Sequence, residues 1–227
     1  MAAAIDFYFD YLSPFAYLAW RKLPEITQSR GAVIRPKPVL FAGLLNHWGQ
    51  LGPAEIPPKA AHVFRECARH AQLANIPFRS PRHHPFKPLT ALRVSLVEVS
   101  GSDQSRVISA IFDAGWAKGQ DLGDASTIVN ALNSLDLDGE TLVQQAADPV
   151  VKKILQENTL AAVEQGVFGI PTMIVEAELF WGLDQLPYIA LFLDGKDPLA
   201  NVNLQQIASR GPAAVRPGSL NRGPTQS

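Results

Sequence analysis

The chain has 227 residues and a mass of 24.7 kDa, of which 47% are apolar and 18% charged. These are proportions of a folded globular protein with room for one large domain or a smaller one carrying an insertion. Lys and Arg number 20 against 21 Asp and Glu, a formal charge of −1, so no basic field is available to release counterions from nucleic acid or anionic lipid. The single cysteine, Cys67, excludes an internal disulfide, a CxxC redox pair and a thiolate zinc cage, and it fits a reducing compartment.

The first residues lack a basic n-region, and Asp6 and Asp10 interrupt the apolar run that a signal peptide needs. A cytoplasmic protein is expected, and no stretch approaches the ~20 apolar residues of a membrane span. Ile5, Phe7 and Phe9 alternate with Asp6, Tyr8 and Asp10, the period of a strand that ends by Leu12. Ser13-Pro14 then reads as the cap and first residue of a helix: the hydroxyl accepts a free backbone N–H, and proline has no donor to lose there. Phe15, Leu18, Ala19 and Leu23 form its apolar stripe, and Gly31 lies beyond its end. Residues 33–40, β-branched and then broken by Pro36 and Pro38, fit an edge strand.

From about Pro57 to Gly166 the periodicity is helical. Lys59 to Asn75 carries Ala60, Val63, Phe64, Cys67, Ala71 and Ala74 on one face. Leu89, Leu92, Leu96 and Val99 follow at similar spacing, and Val107, Ile108, Ile111, Phe112 and Trp116 mark another helix. Ile128, Val129 and Leu132 indicate a shorter one, and Asp148-Pro149 caps a run through Val150, Ile154 and Leu155. Strand character returns in Pro171 to Val175 and Leu179 to Trp181, a hairpin, before a last helix from about Gln185 to Leu193. The tail beyond Arg210, rich in Gly, Pro, Ser and Asn, reads as disordered.

The β-α-β opening and β-β-α close resemble the two halves of an α/β thioredoxin-like fold interrupted by an all-helical domain. Residues 1–40 and 166–198 would form the first unit, 41–165 the insert and 199–227 a largely disordered extension. Three segments carry a more specific likeness: Asp10-Tyr11-Leu12-Ser13-Pro14-Phe15-Ala16-Tyr17-Leu18, Gly166-Val167-Phe168-Gly169-Ile170-Pro171-Thr172 and Phe180-Trp181-Gly182-Leu183-Asp184-Gln185-Leu186. Together they resemble the 2-hydroxychromene-2-carboxylate isomerases, relatives of kappa-class glutathione transferases and DsbA-like oxidoreductases. The resemblance covers about residues 5 to 194.

The likeness implies a glutathione-dependent isomerase of aromatic catabolism that adds the cofactor's thiolate reversibly to a small aromatic substrate. It also implies a homodimer, a cis bond at Ile170-Pro171, and a serine where the oxidoreductases have their first redox cysteine. Ser13 would activate the glutathione sulfur. Ile170 would pair with the cysteinyl amide through its backbone, Asp184 would receive the γ-glutamyl end, and Trp181, Gly182 and Leu183 would line that end. Lys59 would meet a glutathione carboxylate and Lys87 would face the substrate. Gln50, Lys87 and Gln185 depart from the asparagine, asparagine and arginine common in relatives.

Each residue also has a plainer reading: Ser13 and Asp184 as helix caps, Ile170 as a strand-entry residue, Trp181 as a hairpin aromatic, Lys59 as a surface lysine. The five histidines form no HExxH or carboxylate cluster, read as surface residues, and give no metal site. Physical chemistry supports Ser13 independently. A helix N-terminus offers unpaired N–H groups to an anion, but lowering a thiol from ~8.5 by two pKa units needs about 2.7 kcal/mol. The dipole supplies only ~0.3–1 kcal/mol, so a charge-assisted bond from the Ser13 hydroxyl is required. The alternatives are a kappa-like glutathione transferase or peroxidase, and a binding module without chemistry.

Overall fold

A computed structural model describes residues 2–200 and 202. The disordered tail expected beyond Arg210 lies outside these residues. Strand β1 (Ala4–Phe9), helix α1 (Pro14–Gln28) and strand β2 (Val33–Pro38) form the opening, and β3 (Thr172–Val175), β4 (Glu178–Trp181) and α10 (Leu186–Leu193) the close. They build one sheet in the order β2-β1-β3-β4, with β1 parallel to β2 and antiparallel to β3. Register places Asp6 beside Arg35, and their side chains pair at 2.7 Å. Val33 N and Val39 N donate to Ala3 O and Phe9 O. Alternation therefore turns the donor-less Pro36 and Pro38 to the outer edge, where no ladder bond is lost.

Among the described residues, everything between β2 and β3 is helical or loop. The helices are α2 (Phe41–Trp48), α3 (Pro57–Leu73), α4 (Leu89–Val94), α5 (Val97–Ser100), α6 (Gln104–Phe112), α7 (Ala125–Asn133), α8 (Gly139–Gln145) and α9 (Pro149–Glu164). Sequence periodicity finds α3, α6, α7 and α9 but not α2 or α8, and it merges α4 with α5. The break between those two falls at Ser95, fully buried. Its Oγ donates to Ala91 O at 2.8 Å and bonds the Tyr11 hydroxyl, while Gln104 Nε2 donates to its carbonyl. The helix ending at Phe112 continues as a π-helical turn over Asp113–Ala117, which carries Trp116 into the core.

Phe7, Phe9 and Tyr11 stand along one face of β1 and its extension, fully buried, and meet Trp20 of α1 and Phe112 of α6. The same core runs on through Cys67, Leu92, Ile108, Trp116 and Ile128. A second, smaller cluster of Tyr8, Val39, Leu44, Val167, Ile170 and Ile174 fills the opposite face of the sheet. Both faces of β1 are thus covered, and the loop leaving its C-terminal end is held against packed structure.

Candidate functional site

Ser13 is the N-cap of α1, with extended backbone (φ −96°, ψ 113°) and Pro14 as the first helical residue. Its Oγ accepts the Ala16 N–H at 3.1 Å, and the residue is only 8% exposed. Phe15 N–H, in the first turn, has no intrahelical acceptor by position. The tip therefore offers a hydroxyl proton and a backbone donor, which suits an anion.

The Ile170-Pro171 bond is cis, as the resemblance implies. Pro171 O accepts from Gly182 N at 3.0 Å, so the turn before β3 is tied to the segment after β4. Gly182 has φ +108°, a conformation side chains rarely adopt, and a Cβ there would lie 2.5 Å from Asp184 Oδ1. At Gly169 a Cβ would lie 2.6 Å from Trp181 Nε1. Both glycines let main chain and side chains approach where larger residues would not.

Phe15, Glu66, His70, Ile170, Pro171, Trp181, Gly182, Leu183 and Asp184 enclose a cavity of about 290 Å³. It joins the first turn of α1, the proline turn and the segment after β4, so all three sequence motifs converge on it. Ile170, Trp181, Gly182, Leu183 and Asp184 are on its wall; Ser13 is two residues from Phe15 but not itself on the wall. Leu183, Asp184 and His70 continue into a neighbouring groove with Lys22 and Glu25. A larger open cleft of about 570 Å³, bordered by Arg106, Lys118 and Asn130, contains no residue of the three motifs.

Lys59 and Lys87 are exposed and line neither part of this groove, and Gln50 is exposed beyond the end of α2. Gln185 donates its side-chain amide to Asp184 Oδ2 at 3.0 Å. Sequence reasoning missed Phe15, Glu66 and His70 on the wall. Lys59, Glu66 and His70 follow seven- and four-residue spacing, so they share one face of α3. That face was legible; which way it pointed was not.

The histidines are not all surface residues. His84 is half-buried, its Nε2 2.9 Å from Leu12 O, and burial holds its pKa below the ordinary value. Asp10, 1% exposed, accepts from Leu12 N and Phe41 N, each at 3.0 Å. Burial outweighs those two donors and pushes its pKa up to about 7. Burial likewise pushes the Cys67 thiol well above its ordinary range, which makes it unreactive.

Residues 4–194 match the DSBA-like thioredoxin domain, and the chain belongs to that family. Within it, the chain is 29% identical over 196 residues to a 2-hydroxychromene-2-carboxylate isomerase of Sphingobium xenophagum, covering 85% of this chain and 99% of that protein. It is 28% identical over 204 residues to glutathione S-transferase kappa 2 of Caenorhabditis elegans, covering 83% and 91%. Among solved structures, a 2-hydroxychromene-2-carboxylate isomerase superposes with a TM-score of 0.78 at 27% identity, over 85% of this chain and 95% of that one. Among the described residues no helix is long and apolar enough to cross a membrane.

Proposed function

We propose that the chain is a glutathione-dependent isomerase of the 2-hydroxychromene-2-carboxylate type, interconverting that compound and trans-o-hydroxybenzylidenepyruvate. The observation that carries this reading is the single cavity on which the Ser13 helix tip, the Ile170-Pro171 turn and the Trp181–Asp184 segment converge. The isomerases and kappa transferases among its relatives support it.

The residues present suit glutathione. The main chain at Ile170, in the turn before the cis Pro171, can pair with a peptide, the close approach at Gly182 leaves room for one, and an exposed carboxylate at Asp184 suits an α-ammonium group. Lys59 lies two helical turns before Glu66 on the same face of α3, towards the opposite end of such a ligand, where it would meet a carboxylate. Bound glutathione supplies a nucleophilic sulfur for reversible addition to a conjugated substrate. Ser13 accepts the Ala16 N–H and donates its own proton to that sulfur, stabilising the anion. Pro14 is buried at the tip and Phe15 lines the cavity beside it; Lys87, exposed and outside the groove, is kept as the substrate-side residue on the family resemblance alone.

A second reading, a kappa-like transferase, is favoured by the kappa relatives. A panel of aromatic substrates assayed with and without glutathione decides between them. The isomerase converts substrate only when glutathione is present and leaves free thiol constant. Stoichiometric thiol loss establishes the transferase, and conversion indifferent to glutathione overturns both.

A further inference from the structure

The peptide group joining Leu12 to Ser13 is held at both of its polar ends. Its N–H donates to Asp10 O at 3.1 Å, and its carbonyl bonds His84 Nε2 at 2.9 Å. The two groups just before it are held as well: Trp116 Nε1 donates to Tyr11 O at 2.8 Å, and Leu12 N donates to Asp10 Oδ1. Asp10 is local, whereas His84 and Trp116 come from the helical region. His84 sits edge-on among aromatic rings, with centroids 5.2 Å from Phe64, 5.5 Å from Trp116 and 6.2 Å from Phe86.

That ring cage fixes the imidazole plane, and a carbonyl acceptor requires a proton on Nε2, so the tautomer is set as well. The segment carrying His84 is itself strapped down. Tyr17 Oη donates to Pro77 O at 2.7 Å, Arg79 N to Trp116 O at 2.6 Å, and Arg82 N to Gly119 O at 3.2 Å. His84 is consequently a rigid donor aimed at the peptide whose plane sets the direction of the Ser13 Cα–Cβ bond.

We propose that His84 is a positioning residue for Ser13: by clamping the Leu12 carbonyl it aims the serine hydroxyl at the sulfur it must stabilise. The part concerning sulfur rests on the glutathione reading above; the clamp itself does not. His84 touches neither cofactor nor substrate in this role. A misdirected hydroxyl would leave binding of the tripeptide largely intact and weaken only the bond to its anionic form.

The test compares His84→Phe, which keeps an aromatic ring and removes the donor, with His84→Gln, whose amide N–H can restore it. In the free protein, hydrogen exchange at the Ser13 amide rises about tenfold in the phenylalanine variant and returns towards wild type with glutamine. With glutathione bound, the apparent thiol pKa rises by about one unit in His84→Phe and recovers in His84→Gln, and at pH 7 kcat falls about threefold with KM for glutathione rising by no more than about the same factor.

Unchanged Ser13 exchange in a folded His84→Phe overturns the clamp. Faster exchange with an unchanged thiol pKa overturns the positioning role. If wild type binds no glutathione, the functional reading fails, so the sulfur-directed proposal falls with it while the exchange arm still decides the clamp. Should the phenylalanine variant fail to fold, wild-type exchange at Ser13 compared with His84→Gln decides it: matching protection supports the donor, and lost protection in the folded glutamine variant opposes it.

Discussion

Ser13 Oγ accepts the Ala16 N–H at 3.1 Å, an arrangement that caps α1 and leaves the hydroxyl proton free to be given away. Capping and sulfur activation are therefore two uses of one oxygen. Ser13→Ala loses both, costing about 1 kcal/mol of stability through the cap and about tenfold to a hundredfold in glutathione-dependent turnover through the charge-assisted bond. Ser13→Gly costs only a few tenths of a kcal/mol as a cap but should lose activity equally. Chemical denaturation and steady-state kinetics on the pair separate the uses. Activity that followed stability across the two variants would reduce Ser13 to a cap.

Asp184 is exposed on the cavity wall with Gln185 as its side-chain partner. Asp184→Asn is expected to raise the glutathione dissociation constant about tenfold, the effect of losing a charge-assisted contact, with kcat almost unchanged at saturation. Isothermal calorimetry measures it directly. Equal affinity in the variant would remove the γ-glutamyl assignment.

The raised pKa of Asp10 gives a sign that can be checked. Its folded carboxyl holds a proton up to about pH 7, whereas the ordinary value is 3.8. Between these the native state binds more protons than the unfolded one, so stability contributed by this group is full below about pH 4 and declines as pH rises to about 7. Subtracting the unfolding free energy of Asp10→Asn from that of wild type at each pH isolates the term. The difference should fall across that window by a few kcal/mol and flatten above it; a difference that rises with pH contradicts the assignment.

Cys67 is fully buried on α3 and its thiol is held in its neutral form. An aromatic disulfide reagent should react with it only as fast as the protein unfolds, and Cys67→Ala should retain turnover while losing up to a few kcal/mol of packing. Rapid modification of the native protein, with loss of activity, would show a chemical role that its burial denies.

Much of the fold was readable because its signals are local. The alternation in β1, the Ser13-Pro14 cap and the prolines of β2 each act on their own neighbours. Helix α2 was not readable because its N-cap residue, Leu40, has no capping group. The acceptor for Phe41 N is Asp10 Oδ2, and Thr159 Oγ1 accepts from Leu40 N, so the helix start is completed from two distant elements. The same reason hid the break at Ser95 and the burial of His84, each decided by a partner far along the chain. Asp138 caps α8 locally, yet among its helical residues only Gly139 is buried, so no apolar stripe announces it.

The candidate site divides in the same way. Ile170, Trp181, Gly182, Leu183 and Asp184 sit in contiguous motifs and reach one wall together. Glu66 and His70 come from a helix whose polar face gives no hint of what it meets, and Lys59 and Lys87 are exposed and off the wall. Family likeness supplied roles for those lysines; packing alone supplied the neighbours of the cavity.

The most direct measurement is an ultraviolet titration of the thiol of glutathione bound to wild type and to Ser13→Ala. The expected result is a sulfur already anionic at neutral pH in wild type, about two pKa units below the free thiol at ~8.5, and a return most of the way to the free value in the variant. A bound thiol that remains protonated at neutral pH, or one equally acidic in both proteins, contradicts it.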